Sequence, residues 1–311
     1  DEALACYMIQ LLPQYKGAEI IRTRNLEILK DMDIVVDVGA EYIPDKFRFD
    51  HHQRGFEEVF SDQFHTKLSS AGLIYKHFHR EILKAIVPSL SETELEMISV
   101  AVYRGFIEAI DGIDNGITQY ESEKPARYQI GTDVSSRVGK LNPAWNDTST
   151  KLDDQFKKAC ELVGSEFTDC VLNYANAWLP ALHLVEDAVH QRFTVHKSGE
   201  IIKLTQSCPW KSHLYELEKK FYHDSTIKYV LYADQSNAWR IQCVPETEQS
   251  FQSRLPLPEE WRGLRDGMLS ETAGISGCIF VHASGFIGGN ATFEGALEMA
   301  SKALTLSNDS K

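Results

Sequence analysis

The sequence predicts an α/β protein in which a mainly parallel sheet with flanking helices is followed by a smaller mixed α+β domain. Three observations carry this. At 311 residues the chain exceeds the size at which one hydrophobic core stops growing, near ~250–300 residues, so two lobes are expected. Apolar strand-like runs alternate with a helical one from Ala18 to Val38, the order that builds parallel sheets. From Arg192 onward the pattern changes to β-branched and aromatic runs with few helices between them. The domain boundaries that follow are 1–191 and 192–311.

Taken in order, the chain opens directly as a helix at Asp1-Glu2-Ala3-Leu4-Ala5-Cys6. Ala18 to Thr23 reads as a strand, Asn25 as the N-cap of a short helix through Lys30, and Ile34 to Val38 as the next strand. Asp37 stands at the carboxyl end of that strand, where open α/β sheets build their sites. Lys67 to Ala85 is a helix whose Ser69, Ser70, Ala71 and Gly72 are small enough for close packing. Ser91-Glu92-Thr93-Glu94 is a capping box, and Leu95, Ile98, Val102 and Phe106 then repeat at helical spacing before Asp111 closes the stretch. Residues 117–147 are loop-rich around Pro125 and Pro143, and helices at 151–164 and 166–191 form a long pair. In the second lobe Arg192 to His196, Glu200 to Leu204, Tyr229 to Ala233, Trp239 to Val244 and Gly277 to His282 read as strands. Thr292 to Leu304 is the closing helix. Gly288-Gly289-Asn290 before it is either a plain strand-to-helix turn or one whose backbone N–H groups approach an anion.

The formal charge of −13 is uneven, about −12 for residues 1–191 and about −1 for 192–311. A strongly basic stripe is absent, so any contact with nucleic acid must be local rather than a field of the whole protein. The six cysteines are scattered with no close paired spacing, which fits reduced thiols in an intracellular protein. No apolar run approaches the roughly 20 residues needed to span a bilayer, and a soluble chain is expected.

Chemistry concentrates at Asp50-His51-His52. Two adjacent imidazoles behind a carboxylate need partners if buried, and a metal supplies one; a surface turn with ordinary histidines is the alternative. Asp1, Glu2, Asp37 and Asp111 add carboxylates from other elements, a ligand set suited to a hard divalent pair such as Mn2+ or Mg2+. Glu2 is a further ligand or simply an acid favoured at a helix N-terminus. Arg254, Arg262 and Arg265 either fork onto phosphates or pair with Glu259, Glu260 and Asp266.

An acidic helix start, a strand-end Asp, Asp-His-His and a later Asp resemble the motifs of the DHH phosphoesterase superfamily. That superfamily includes RecJ-type nucleases and family II pyrophosphatases. Val35-Val36-Asp37-Val38-Gly39, Arg48-Phe49-Asp50-His51-His52-Gln53-Arg54, Thr66 to Tyr75 and Phe251 to Pro258 resemble one branch, the melanocyte-proliferating-gene (Myg) family, nearly end to end. The resemblance implies a DHH-type metal-binding catalytic domain, a DHHA-like substrate-binding domain and two metal ions. Asp37 would bridge the ions, with Asp1 on one and His51 and Asp111 on the other, and Asp50 would orient the His51 ring. A hydroxide would attack phosphorus, with His52 and Arg54 on the substrate. Gly288, Gly289 and Asn290 would hold substrate phosphate, with Asn290 standing where related domains carry His. A His two residues ahead of Asp1, and any targeting segment, would lie outside this sequence. The implied activity is a 3′-to-5′ RNA exonuclease of mitochondrion and nucleus acting on single-stranded RNA or short oligonucleotides. The alternatives are a small-nucleotide phosphoesterase and a catalytically weakened metal-binding scaffold. Trp210, Trp239 and Trp261 are the aromatics available for stacking.

Overall fold

The structure, a computed structural model, describes residues 1–121, 124–147, 149–221 and 226–309. It forms two compact units, Asp1–Asn176 and Ala177–Lys311. In the first, the order is α1 (Glu2–Leu11), α2 (Leu26–Lys30), β1 (Val35–Val36), β2 (Tyr42–Ile43), β3 (Arg48–Phe49), α3 (Ser70–Ile86), α4 (Glu92–Val102), α5 (Glu108–Asp114), α6 (Val134–Gly139) and α7 (Leu152–Asn173). Ala3, Leu4, Ala5, Met8 and Ile9 make α1 a buried helix, packed on α3 and α7. The Ser91–Glu94 capping box is present at the start of α4 and satisfies donors at both ends of the first turn. From α4 the chain passes through a π turn, Tyr103–Ile107, into α5. Such turns insert an extra residue per turn and re-phase the side chains that follow.

The sheet of this unit corrects the parallel expectation. Its order is β1-β3-β2, with β1 parallel and β2 antiparallel to β3, so it is mixed. Ala18 to Thr23, expected as a strand, enters no ladder among the described residues; it and Ile34 to Val38 line a cavity of about 650 Å³.

The second unit runs α8 (Leu179–His190), α9 (Arg192–Val195), β4 (Ile201–Lys203), α10 (Lys211–Phe221), β5 (Tyr229–Ala233), β6 (Trp239–Cys243), α11 (Asp266–Ala273), β7 (Cys278–Val281), β8 (Ile287–Asn290) and α12 (Phe293–Asp309). Its mixed sheet has the order β4-β5-β6-β8-β7, and β4–β5 is the parallel pair. Alternation along the strands separates two cores. Tyr229, Leu231, Ile241 and Cys243 meet Ala296, Met299 and Ala300 of α12. On the other face Ile202, Val230 and Val244 meet Val185 and Val189 of α8 and Leu214 and Leu217 of α10. Since α8 builds this core, the division falls after Asn176, ahead of the expected 191/192 boundary. Arg192 to His196, expected as a strand, instead opens with the short helix α9: Arg192 donates to Val189 O and Thr194 to Gln191 O, which hold the chain in a turn.

Candidate metal centre

Backbone geometry delivers the first acid. Directly after β1, Asp37 adopts φ 64°, in the left-handed region that costs a non-glycine residue on the order of 1 kcal/mol or more. Its N–H still donates to Phe49 O at 3.2 Å, so the ladder to β3 holds the strained residue in place. That same ladder brings β3, and the Asp50-His51-His52 that follows it, alongside.

His51 is 3 % exposed, and neither ring nitrogen makes a hydrogen bond. Its Nε2 lies 3.4 Å from Asp37 Oδ1 and 3.2 Å from Asp114 Oδ2. Burial disfavours charge on this ring, yet the Asp37 and Asp114 carboxylates outweigh it and hold the His51 pKa above its ordinary value. Asp50 does not orient His51, as expected, but His52. It accepts from the His52 ring Nδ1 at 2.7 Å and from the His52 and Ala40 backbone N–H groups. Burial raises the Asp50 pKa, and these bonds more than reverse it, leaving the carboxyl below its usual range. The His52 side chain is 60 % exposed and Arg54 is exposed as well.

At the start of α1, Asp1 accepts from Ser70 Oγ at 2.5 Å and from the Ser70 N–H at 3.2 Å. Three donor groups result, Asp37-His51-His52, Asp1-His51-Asp114 and Asp1-Glu2-Asp37, in each of which the candidate ligand atoms lie within 4.8 Å of one another. Asp1, Asp37 and His51 each belong to two of them. Carboxylate and imidazole donors in this proportion suit an oxygen-preferring divalent cation. The clustered His and Asp residues thus offer a site that can bind metal.

Asp111 is placed elsewhere. It is fully buried, and its carboxylate accepts from Ser69 N–H and Oγ, Gly72 N–H and Tyr103 Oη. Gly72 is required there, because a Cβ at that position would sit 2.4 Å from Asp111 Oδ2. The helix continues one turn past Asp111 to Asp114, and it is Asp114 that reaches His51. Asn115-Gly116 carried the overlooked signal, since Gly116 at φ 67° is the residue type that ends a helix, and it sets the end at Asp114. Ser69 and Ser70 were expected mainly as packing residues; they also hold Asp111 and Asp1.

In the second unit the expected phosphate residues are placed differently. Gly288-Gly289-Asn290 is strand β8, not a turn. Asn290 is fully buried, donating to Ser276 O at 2.9 Å and accepting from the Thr292 N–H, which sets the start of α12. Arg262 donates its Nε to Leu257 O at 3.0 Å. Trp210 and Trp261 are core residues, while Trp239 packs on Phe293.

Arg254 pairs with none of the acids expected for it. It is buried in a two-pronged pair with Glu218, each N–O distance 2.8 Å, and also donates to Ile227 O. Arg254→Met is therefore expected to destabilise this unit by roughly 3–5 kcal/mol by stranding Glu218. Arg254→Met combined with Glu218→Leu should recover much of the loss. Urea unfolding of the single and double variants checks this, and equal destabilisation by both would refute it.

The family model MYG1_exonuc, described as "Uncharacterised protein family (UPF0160)", matches residues 1–304. The human protein named MYG1 exonuclease is 51 % identical over 307 residues, spanning 96 % of this chain and 81 % of its own length. The MYG1 protein of Dictyostelium discoideum is 48 % identical over 99 % of this chain and 94 % of its own. MYG1 protein YER156C of Saccharomyces cerevisiae is 46 % identical over 98 % and 92 %. No solved structure matches the chain. Matched over nearly all its length by the family model and by relatives this similar, the chain belongs to the MYG1_exonuc family.

Proposed function

We propose that the chain is a divalent-metal-dependent phosphodiesterase and, within that class, a 3′-to-5′ exonuclease of single-stranded RNA. The observation that carries the reading is the overlap of three donor groups through Asp1, Asp37 and His51, an arrangement suited to two neighbouring ions. The fit is chemical as well as spatial. A buried imidazole whose nitrogens make no well-aligned hydrogen bond, with Nε2 3.4 Å and 3.2 Å from the Asp37 and Asp114 carboxylates, forms with them a donor set that a cation satisfies. The names of the mammalian relatives supply the exonuclease class. Direction and RNA preference rest on the Myg resemblance.

Asp1, Asp37, His51 and Asp114 would hold the ions, with Glu2 and His52 beside them; Mn2+ or Mg2+ suits so oxygen-rich a set. When bound, such a pair lowers the pKa of water to yield a nucleophile near neutral pH and offsets charge on phosphoryl oxygens. The chain's own groups do the rest. The ladder to β3 fixes the Asp37 carboxylate, and Ser70 fixes Asp1. Asp50, bonded to Nδ1 of His52, leaves that ring's Nε2 for a phosphoryl oxygen, and exposed Arg54 adds a guanidinium for the phosphate backbone.

Incubation of 5′-labelled single-stranded RNA with the protein and Mn2+ is expected to give a ladder of products shortened from the 3′ end. EDTA and Asp37→Asn should both abolish it. Manganese binding without cleavage of RNA of any length would overturn the nuclease reading, and a rate confined to the shortest oligomers would narrow it to oligonucleotide hydrolysis.

A further inference from the structure

We propose that the open face of the second unit's sheet is a stacking platform for a nucleotide of single-stranded RNA. Strand register sets out the platform. Tyr232 lies opposite Arg240, Arg240 opposite Gly289, and Gly289 opposite Phe280. Phe280 in turn bridges to Arg265. Residues directly opposite in a ladder share a face, so ring, guanidinium, gap, ring and guanidinium form one row across the sheet.

The gap at Gly289 makes the row continuous. A Cβ there would lie 2.6 Å from Arg240 Nη1 and 3.2 Å from the Phe280 ring. Without it, the Arg240 guanidinium settles toward Phe280, with Cζ 5.3 Å from the ring centroid; Arg265 Cζ lies 5.9 Å from the same centroid. Asp234 pairs with Arg240, whereas Arg265 is exposed and meets no carboxylate among the described residues. The row therefore keeps net positive charge on a chain of −13. Nor is it core. The helix packed on β6 and β8 is α12, which meets Ile241 and Cys243 on the opposite face, while α8 and α10 are gathered over Ile202, Val230 and Val244.

Partly buried rings alternating with guanidinium groups on a sheet match what an unpaired nucleotide offers, a flat base to stack and a phosphate to neutralise. The Arg265 guanidinium, uncompensated among the described residues, favours an occupant that carries phosphate. These are residues the expected glycine turn did not include, and they lie beside Gly289 rather than Asn290.

The inference rests on the RNA reading above, and the test separates the two. Anisotropy of a fluorescein-labelled oligouridylate is followed in EDTA, where no metal-dependent cleavage occurs. The unsubstituted chain is expected to bind. Phe280→Leu should weaken binding about tenfold, within the range for loss of one stacked base. Arg265→Gln should reduce the slope of log affinity against log salt by about one. Circular dichroism and thermal unfolding confirm that each variant is folded. Folded variants that bind with unchanged affinity and salt slope would overturn the platform, as would failure of the unsubstituted chain to bind. Weakened binding by the variants together with no cleavage in any metal would overturn the nuclease reading alone. Cleavage by a chain indifferent to both substitutions would overturn the platform alone.

Discussion

Asp111→Ala is expected to destabilise the first unit by roughly 3–5 kcal/mol. The carboxylate is the shared acceptor for Ser69 N–H and Oγ, Gly72 N–H and Tyr103 Oη, and these donors tie the start of α3 to the π turn and α5. Each buried donor stranded without an acceptor costs about 1–3 kcal/mol, and relaxation or an entering water recovers part of the sum. Asp111→Asn should behave differently. Its Oδ1 can take the Ser69 and Gly72 bonds, and its amide can donate to the Tyr103 hydroxyl once that hydroxyl turns to accept. The pair also reports on pH. Burial pushes the Asp111 carboxyl up from 3.8 to about 6, against the pull of its hydrogen bonds. A folded-state pKa above the unfolded one contributes stability that is fully present below about pH 4. It is lost as pH rises to 6, because the unfolded chain releases a proton that the folded chain retains. The shift corresponds to about 3 kcal/mol. Asparagine has no such loss, so Asp111→Asn should flatten this part of the stability–pH curve and gain on the parent above pH 6. Urea unfolding between pH 4.5 and 7.5 in chelator measures both effects; an alanine variant as stable as the parent would show that the four bonds are dispensable.

Local rules explain which features could be read from the residues. The capping box at Ser91–Glu94, the N-cap at Asn25 and four of the five β-branched or aromatic runs of the second unit depend on near neighbours and match the structure, whereas Arg192 to His196 is taken into α9. Asp37 and His51 were identifiable because a carboxylate ending an apolar run and adjacent histidines are unusual in themselves. Asp111 and Asp114 differ by a single helical turn, and a motif alone cannot say which of them a π turn will rotate toward His51. Gly288-Gly289 reads as a turn in sequence, since glycine is the common punctuation of loops. Here it serves close packing inside a strand, and only the register shows that Arg240 and Phe280 meet over it. Arg254 is a similar case, because its partner Glu218 is distant in sequence and is brought near by the fold.

Asp37→Asn and Asp114→Asn are expected to lower Mn2+ affinity, by at least about a hundredfold and about tenfold respectively, without unfolding the protein. Loss of a residue that merely supports a ligand costs 10–100-fold, and a direct ligand should cost no less. Asp37 belongs to two donor groups, whereas Asp114 belongs to one, which sets the order between them. Asparagine tolerates the left-handed backbone at position 37 as well as aspartate does, so strain at φ 64° should not change. A second consequence separates a metal site from a structural ion pair. Candidate ligand atoms of Asp1, Glu2 and Asp37 lie within 4.8 Å of one another, and without a cation their like charges repel. Neutralising Asp37 should therefore raise the melting temperature in EDTA. In excess Mn2+ the order should reverse, because the parent gains stability from a ligand that the variant binds weakly. If Asp37 served chiefly to pair with His51, its loss would lower the melting temperature in EDTA as well. Melting curves of parent and variant with and without metal decide between these two roles, and Asp111→Asn, which leaves all three donor groups intact, should keep the parent's manganese affinity.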